Sequence, residues 1–409
     1  MEILENIISD PRYNDNEKIT LLRRLTVIGN PIYKQILSAE FLKKEPSQQG
    51  YMYNSLPRLK EIGITLEDIV SLLMSYNNLE QENLENKISE TINAIIEKQK
   101  NGRWDEYFAS GVDENLKKPN VWAHCVFTRA LIKWDNIIGR NPKIEKAIKA
   151  ALSHIEDEDF IVKESDAIGW TNTKDKKEIK IYDTSFAITT IINFQTSYTK
   201  GFFEIPNVDT LLHPDFYNKG EGYWMSGKGE AKDTGATAHA LISLMFCSKS
   251  KYNEQIEKGI KWLIENQNTN GGWSQVGKEN SYSKVDRTCY VLQALQKFYD
   301  KEKNSAIERG VKYLEGQIRL TYKDKPKRYW SWLDDDSFQP DIPNSSRAIS
   351  TLLRCDVPYD NFAIENGMAG LFIMLEDKPQ LPSLYFICSL IDYLKVRYLP
   401  KMVLKDTFL

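Results

Sequence analysis

The stretch Gln267-Asn-Thr-Asn-Gly-Gly-Trp273 lies between two segments of helical periodicity, and its reading decides the fold. Upstream, IEKGIKWLIENQ (residues 256–267) sets apolar residues at i, i+3, i+4 and i+7, the stripe of an amphipathic helix. Downstream, VDRTCYVLQALQKFY opens a second stripe at Val285. The glycines between them permit a tight turn, and the Trp brings a large apolar body to pack over a helix end. The unit reads as helix, Gly-aromatic turn, polar loop, helix.

The unit recurs along the chain. GRW stands at 102–104, GW at 169–170, GYW at 222–224 and YWSW at 329–332. With Trp330 taken as the fifth tryptophan, the intervals are 66, 54, 49 and 57 residues. The following helices start at PNVWAHCVFTRALIKW (from Pro119), YDTSFAITTIINF (from Tyr182), KDTGATAHALISLMF (from Lys232) and PNSSRAISTLLRC (from Pro343). Asp183, Asp233, Asp286 and Asn344 are expected at N-cap positions, where a short polar side chain accepts hydrogen bonds from the first-turn amides. Amphipathic helices are predicted before the turns at 88–99, 143–155 and 306–318, and a last pair covers IENGMAGLFIML and LPSLYFICSLIDYLKV. No strand pattern competes. Such hairpins cannot bury their apolar faces alone, so about six of them between residues 86 and 400 must stack or close on one another.

Composition narrows the function. The 409 residues carry 54 Lys plus Arg against 57 Asp plus Glu, a net charge of −3, which argues against a nucleic-acid partner. No apolar run reaches the length of a transmembrane helix, and the start shows no secretory pattern. Five widely spaced cysteines without a CxxC pair point to reduced thiols and a cytoplasmic protein. The four histidines form no i, i+4 pair, so neither a metal nor another cofactor is expected. Residues 1–84 form a separate N-terminal helical region, with helices predicted at 2–8, 16–28, 31–43 and 65–76; this region either completes the ring or acts as an adaptor for a protein partner. Residues 85–409 hold the repeats.

Gln267–Trp273 fits the QxxxGxW motif of the terpenoid cyclase and protein prenyltransferase superfamily, and Gln99-Lys-Asn-Gly102-Arg-Trp104 is the same motif one residue short. Asp183-Thr184 and Asp233-Thr234 resemble the inner-helix starts of squalene-cyclase-like barrels. The resemblance covers residues 86 to 400 and implies an all-α fold, an (α/α)6 toroid with an inner and an outer ring of helices around a central cavity. It implies an apolar, isoprenoid-like small molecule as ligand. The chain departs from the family at its chemistry. The DxDD acid motif, the zinc set of the prenyltransferases and the thioester motif of related toroids are all missing.

The remaining constellation is Tyr329-Trp-Ser-Trp-Leu-Asp-Asp-Asp336. Crowded carboxylates do not all ionise easily, so one pKa among Asp334, Asp335 and Asp336 is expected to rise, which suits a proton donor. Trp330 and Trp332 beside them offer π-faces to a ligand or a carbocation. Asp183, Asp233 and Asp286 would face the same rim as a second set of ligand-binding acids once the ring closes. Two readings stay open: a terpene-cyclase-like isomerase, or a non-catalytic toroid that recognises a ligand or partner. A third, a polysaccharide lyase with Arg287 or Arg347 as base, would also need a calcium-binding acidic cleft.

Overall fold

The computed structural model describes residues 79, 81–100, 104, 121–155, 160–164, 166–171, 178–199, 208–277, 282–297, 301–322, 328–337, 339–376 and 384–398. The helices predicted at 2–8, 16–28, 31–43 and 65–76 lie outside these residues. Eleven helices are described: α1 (Gln81–Lys98), α2 (Val121–Ile138), α3 (Pro142–Ile155), α4 (Ile181–Tyr198), α5 (Thr234–Ser248), α6 (Asn253–Glu265), α7 (Val285–Leu295), α8 (Lys301–Gln317), α9 (Ile342–Arg354), α10 (Phe362–Glu376) and α11 (Leu384–Tyr398).

Six of them close a ring. α2 packs on α4, α4 on α5, α5 on α7, α7 on α9, α9 on α11, and α11 returns to α2. α3, α6, α8, α10 and α1 stand outside, against α2, α5, α7, α9 and α11 respectively. The sequence explains the division. Outer α6 buries one stripe, Ile256, Gly259, Ile260, Trp262 and Leu263, whereas inner α5 is buried on every side from Thr234 to Leu244. The fold is an (α/α)6 toroid, and its inner ring closes among the described residues. Among the described residues, the sixth outer position, against α4 and α5, holds the 3-10 turn Val208–Leu212. A cleft of about 300 Å³, lined by Leu152, Ile191 and Phe194 among others, opens between α3 and α4.

The Gly-aromatic turns contain strands that the sequence pattern did not show. β1 (Ile161–Glu164) pairs with β2 (Ala167–Trp170), β3 (Tyr217–Asn218) with β4 (Tyr223–Trp224), and β5 (Arg319–Tyr322) with β6 (Arg328–Ser331), all antiparallel.

Each turn delivers one tryptophan to the same place. The indole N–H of Trp104 donates to Ile95 O (2.8 Å), that of Trp170 to Ile155 O (2.8 Å), that of Trp224 to Leu211 O, that of Trp273 to Leu263 O (2.7 Å) and that of Trp332 to Leu314 O (2.8 Å). In every case the acceptor belongs to the end of the preceding outer element. The backbone N–H of the same tryptophan donates to a side chain of the following inner helix: His124 Nε2, Thr184 Oγ1, Thr237 Oγ1, Thr288 Oγ1 or Ser345 Oγ, at 2.9–3.1 Å. Each tryptophan therefore staples outer end to inner start, and all five are at most 1% exposed. Glycines on the next outer helix make room for the indoles: a Cβ at Gly310 would lie 2.9 Å from Trp273 Cζ3, and one at Gly259 3.0 Å from Trp224 Cζ3. The fifth tryptophan of the repeat is Trp332, not Trp330, because a turn register is set by which indole reaches the helix-end carbonyl.

The helix starts also differ from expectation. Of the four predicted caps only Asp233 is one, its carboxylate accepting from Ala236 N at 2.8 Å. Asp183 and Asp286 lie inside the first turns of α4 and α7, which begin after Lys180 and Lys284. α9 is capped by Asp341, which accepts from Asn344 N at 2.7 Å, and Pro343 falls in the first turn, where a missing N–H costs no helix bond.

At the other end of the ring, Asp392 of α11 is fully buried and held from both neighbouring helices. Lys133 Nζ of α2 reaches it at 3.1 Å, and Arg354 of α9 through Nε (3.2 Å) and Nη2 (3.0 Å). Burial and the nearby Arg354 pull Lys133 down to about 8, while Asp392 holds its own charge because two cations flank it.

Candidate functional site

The staple residues on the inner helices set a register. Two residues after Thr184, Thr237, Thr288 and Ser345 come Phe186, His239, Tyr290 and Arg347. These side chains form a continuous series around the inside of the ring. The His239 ring lies 4.6 Å from Phe186 and 4.4 Å from Tyr290, the Arg347 guanidinium sits 5.1 Å over Tyr290, and the Arg129 guanidinium of α2 sits 4.6 Å over Phe186. α4 and α7 are not ring neighbours, yet Tyr182 of α4 reaches Tyr290 of α7 at 6.4 Å and His239 at 5.4 Å. That contact can only pass on the inner side of α5, so this group occupies the axis.

Tyr182 is fixed from two sides. Its hydroxyl donates to Asp233 Oδ1 at 2.5 Å and accepts from Arg287 Nη1. Asp233 also receives Gln275 Nε2 at 3.3 Å. Both Tyr182 Oη and Arg287 Nη1 lie over Gly235, where any Cβ would collide with them. Burial, and next Asp233, push the Tyr182 phenol well above its usual range. Burial, with Arg129, Arg287 and Arg347 adding to it, holds His239 well below the usual histidine value, so its ring is neutral.

The three consecutive aspartates separate. Asp334 closes its own turn, accepting from Ser337 N (2.6 Å) and Asp336 N (3.2 Å), and the first of these bonds keeps its pKa low. Asp336 is exposed and pairs with Lys284 at 2.9 Å. Asp335 turns inward, where both its oxygens lie 3.0 Å from Val285 N at the start of α7. Its pKa is pushed up to about 6, by burial first, with Asp286 as the like charge. One carboxyl of the cluster does rise, but through desolvation and a residue of another helix, not through its sequence neighbours. Asn344 links it to the axis: Nδ2 approaches Asp335 Oδ2 at 3.4 Å, and Oδ1 accepts from Arg347 at 3.3 Å.

The ring start thus brings Asp233 and Asp286 beside Arg287 and the axial aromatics, with Asp335 next to Asp286 and Asp183 buried in the first turn of α4. The two tryptophans go elsewhere. Trp332 is the fifth staple, and Trp330, on β6, packs edge-on against Phe362 of outer α10 at 5.0 Å. Among the described residues no group of three His, Cys, Asp or Glu is placed to hold a metal ion. No described helix is long and apolar enough to cross a membrane.

No family model matches the sequence, and no curated protein matches it. Solved structures do. An alpha-mannanase from Bacteroides thetaiotaomicron superposes with a TM-score of 0.57 at 10% identity, over 80% of this chain and 99% of that one. The fold is a terpenoid-cyclase-like α/α toroid. A type II terpene cyclase from Scytonema in complex with merosterolic acid A superposes at 0.52 and 12% identity, over 80% of this chain and 99% of that one. An ent-copalyl diphosphate synthase from Streptomyces platensis aligns at 0.44 and 16% identity, over 66% of this chain, which spans half (50%) of that protein.

Tyr182, Phe186, His239, Tyr290 and Arg129 were not singled out from the sequence. The signal that finds Phe186, His239 and Tyr290 is the constant two-residue step from the staple side chain, which becomes readable only once the staple is known, while Tyr182 and Arg129 stand outside that step.

Proposed function

We propose that the toroid is an enzyme of isoprenoid-like, unsaturated small molecules, working in the cytoplasm, with Asp335 as its general acid. The observation that carries this reading is the position of Asp335. It is half-buried at the start of the inner ring, protonated below about pH 6, and linked to the axial aromatics through two residues, Asn344 and Arg347. Protonating an alkene needs an undissociated acid near π-faces that can stabilise the cation formed. Tyr182, Phe186 and Tyr290 supply those faces. Asp334 and Asp336 would shape the loop that presents Asp335, and Asp233 and Asp286 would orient Tyr182 and Arg287.

The test incubates the purified protein with farnesol and geranylgeraniol and looks by gas chromatography and mass spectrometry for isomers of unchanged mass. Asp335→Asn removes the product, and the wild-type rate falls as pH rises through about 6, because the acid form is the active one. A product that forms equally in Asp335→Asn, or no product from either alcohol, sinks the reading. In the second case the alternative stands, a toroid that binds a ligand without turning it over.

A further inference from the structure

α4, α5 and α7 start at one rim of the inner ring, each just after its staple turn, so position along these helices reads as depth. On α4, Tyr182 lies in the first turn and Phe186 one turn deeper. On α5 the same step leads from Gly235 to His239. The upper layer is a clasp between three helices. The Tyr182 hydroxyl donates to Asp233 and accepts from Arg287 Nη1, and both tips cross α5 over Gly235, which has no side chain to obstruct them. Tyr290 of α7 flanks both layers, 6.4 Å from Tyr182 and 4.4 Å from His239. Solvent reaches Tyr182, Arg287 and Tyr290, which are half-buried, but hardly Phe186 (5% exposed) and His239 (6%) beneath them.

Two observations mark the clasp as a movable closure and not a fixed brace. The first is what holds it. Tyr182 is joined to the other two helices by the tip of one side chain, at an edge where water can replace the hydrogen bonds it gives up. Asp233 keeps Ala236 N (2.8 Å) and Gln275 Nε2 (3.3 Å) when the hydroxyl leaves, so an outward swing strands no buried charge. The second lies one turn below. His239 Nε2 is buried and has no hydrogen-bond partner among the described residues. A native structure tolerates few such atoms, and a guest admitted past the clasp supplies the missing bond.

We infer that Tyr182 is a gate: its hydroxyl, clasped by Asp233 and Arg287, closes the axis over His239, and the tyrosine must swing out before a small molecule can reach His239 Nε2. The gate presupposes the axial ligand site proposed above, but not that Asp335 is its acid.

Diethyl pyrocarbonate, a small reagent that carbethoxylates the neutral imidazole nitrogens it can reach, tests the gate, with peptide mass spectrometry reading each histidine separately. His239 is neutral and so able to react. In the wild-type protein it is labelled more slowly than His213, whose side chain is 17% exposed, but faster than His154, which is equally buried at 6% but packs against His124 away from the gate. Tyr182→Phe keeps the ring and drops both hydrogen bonds. It speeds His239 labelling about tenfold or more, because the open state no longer competes with the clasp, and leaves His213 and His154 as they were. Labelling of wild-type His239 no faster than His154 overturns the gate on that protein alone, even if the variant fails to fold. An unchanged His239 rate in Tyr182→Phe overturns it too, as does a rise shared by His124 and His154, which reports a general loosening. Asp335→Asn is labelled like the wild type whether or not it abolishes turnover, so failure of the gate and failure of the acid are read separately.

Discussion

Trp273 shows how much one residue is asked to do. Its indole N–H, its backbone N–H and its ring each have a fixed partner: Leu263 O, Thr288 Oγ1 and the gap over Gly310. Trp273→Phe leaves Leu263 O buried without that donor and costs about 1–3 kcal/mol, read by urea denaturation. Gly271 has φ +88° and lies against the backbone carbonyl of Arg309, so Gly271→Ala adds both backbone strain and a clash and destabilises more than Trp273→Phe does. Gly235→Ala acts at the site instead. Its methyl group displaces Tyr182 and Arg287, and the measurement is loss of the turnover sought with farnesol and geranylgeraniol. The Gln, Gly and Trp of the turn were legible because their types are restrictive. The hydroxyl partners were not, because Asp183-Thr184 and Asp233-Thr234 look alike but differ in register. Thr184 is a staple acceptor inside α4, whereas the staple of α5 is Thr237, a full turn after its cap.

Elements were legible where their periodicity was long. The outer helices predicted at 143–155 and 256–267 match α3 and α6 to within a few residues. The strands of two to four residues are too short to show an alternation. The helix caps were misread because an Asp near a helix start satisfies the same pattern at any of several positions. Between elements, the ring is latched by Asp392. Asp392→Asn leaves Lys133 and Arg354 buried without their counter-charge, and a loss of about 3–5 kcal/mol is expected in chemical denaturation. The companion Arg354→Met removes only one of two cations and costs less.

For the whole molecule, the sequence announced repeats that had to cover each other, and the closed ring is the way they do it. What it could not announce is what meets in the middle, since residues 129, 182, 239, 290 and 347 become neighbours only when five helices are arranged around one axis. Closure also makes the ring cooperative. Removing residues 377–409 takes α11 away from α2, α9 and α1 at once, and the shortened chain is expected to lose its cooperative thermal transition in calorimetry.

The five staples are not chemically equal. Four accept the tryptophan amide through a hydroxyl, which keeps its lone pairs at any pH, but the first accepts through the imidazole Nε2 of His124. A proton on that nitrogen converts the acceptor into a donor facing Trp104 N–H. The acceptor role therefore fixes one ring tautomer at one seam of the ring, between α1 and α2, a demand that the other four seams do not make. Hydrogen exchange at the Trp104 amide should speed up in His124→Ala, which removes the acceptor, and stay slow in His124→Thr, which supplies the hydroxyl used elsewhere.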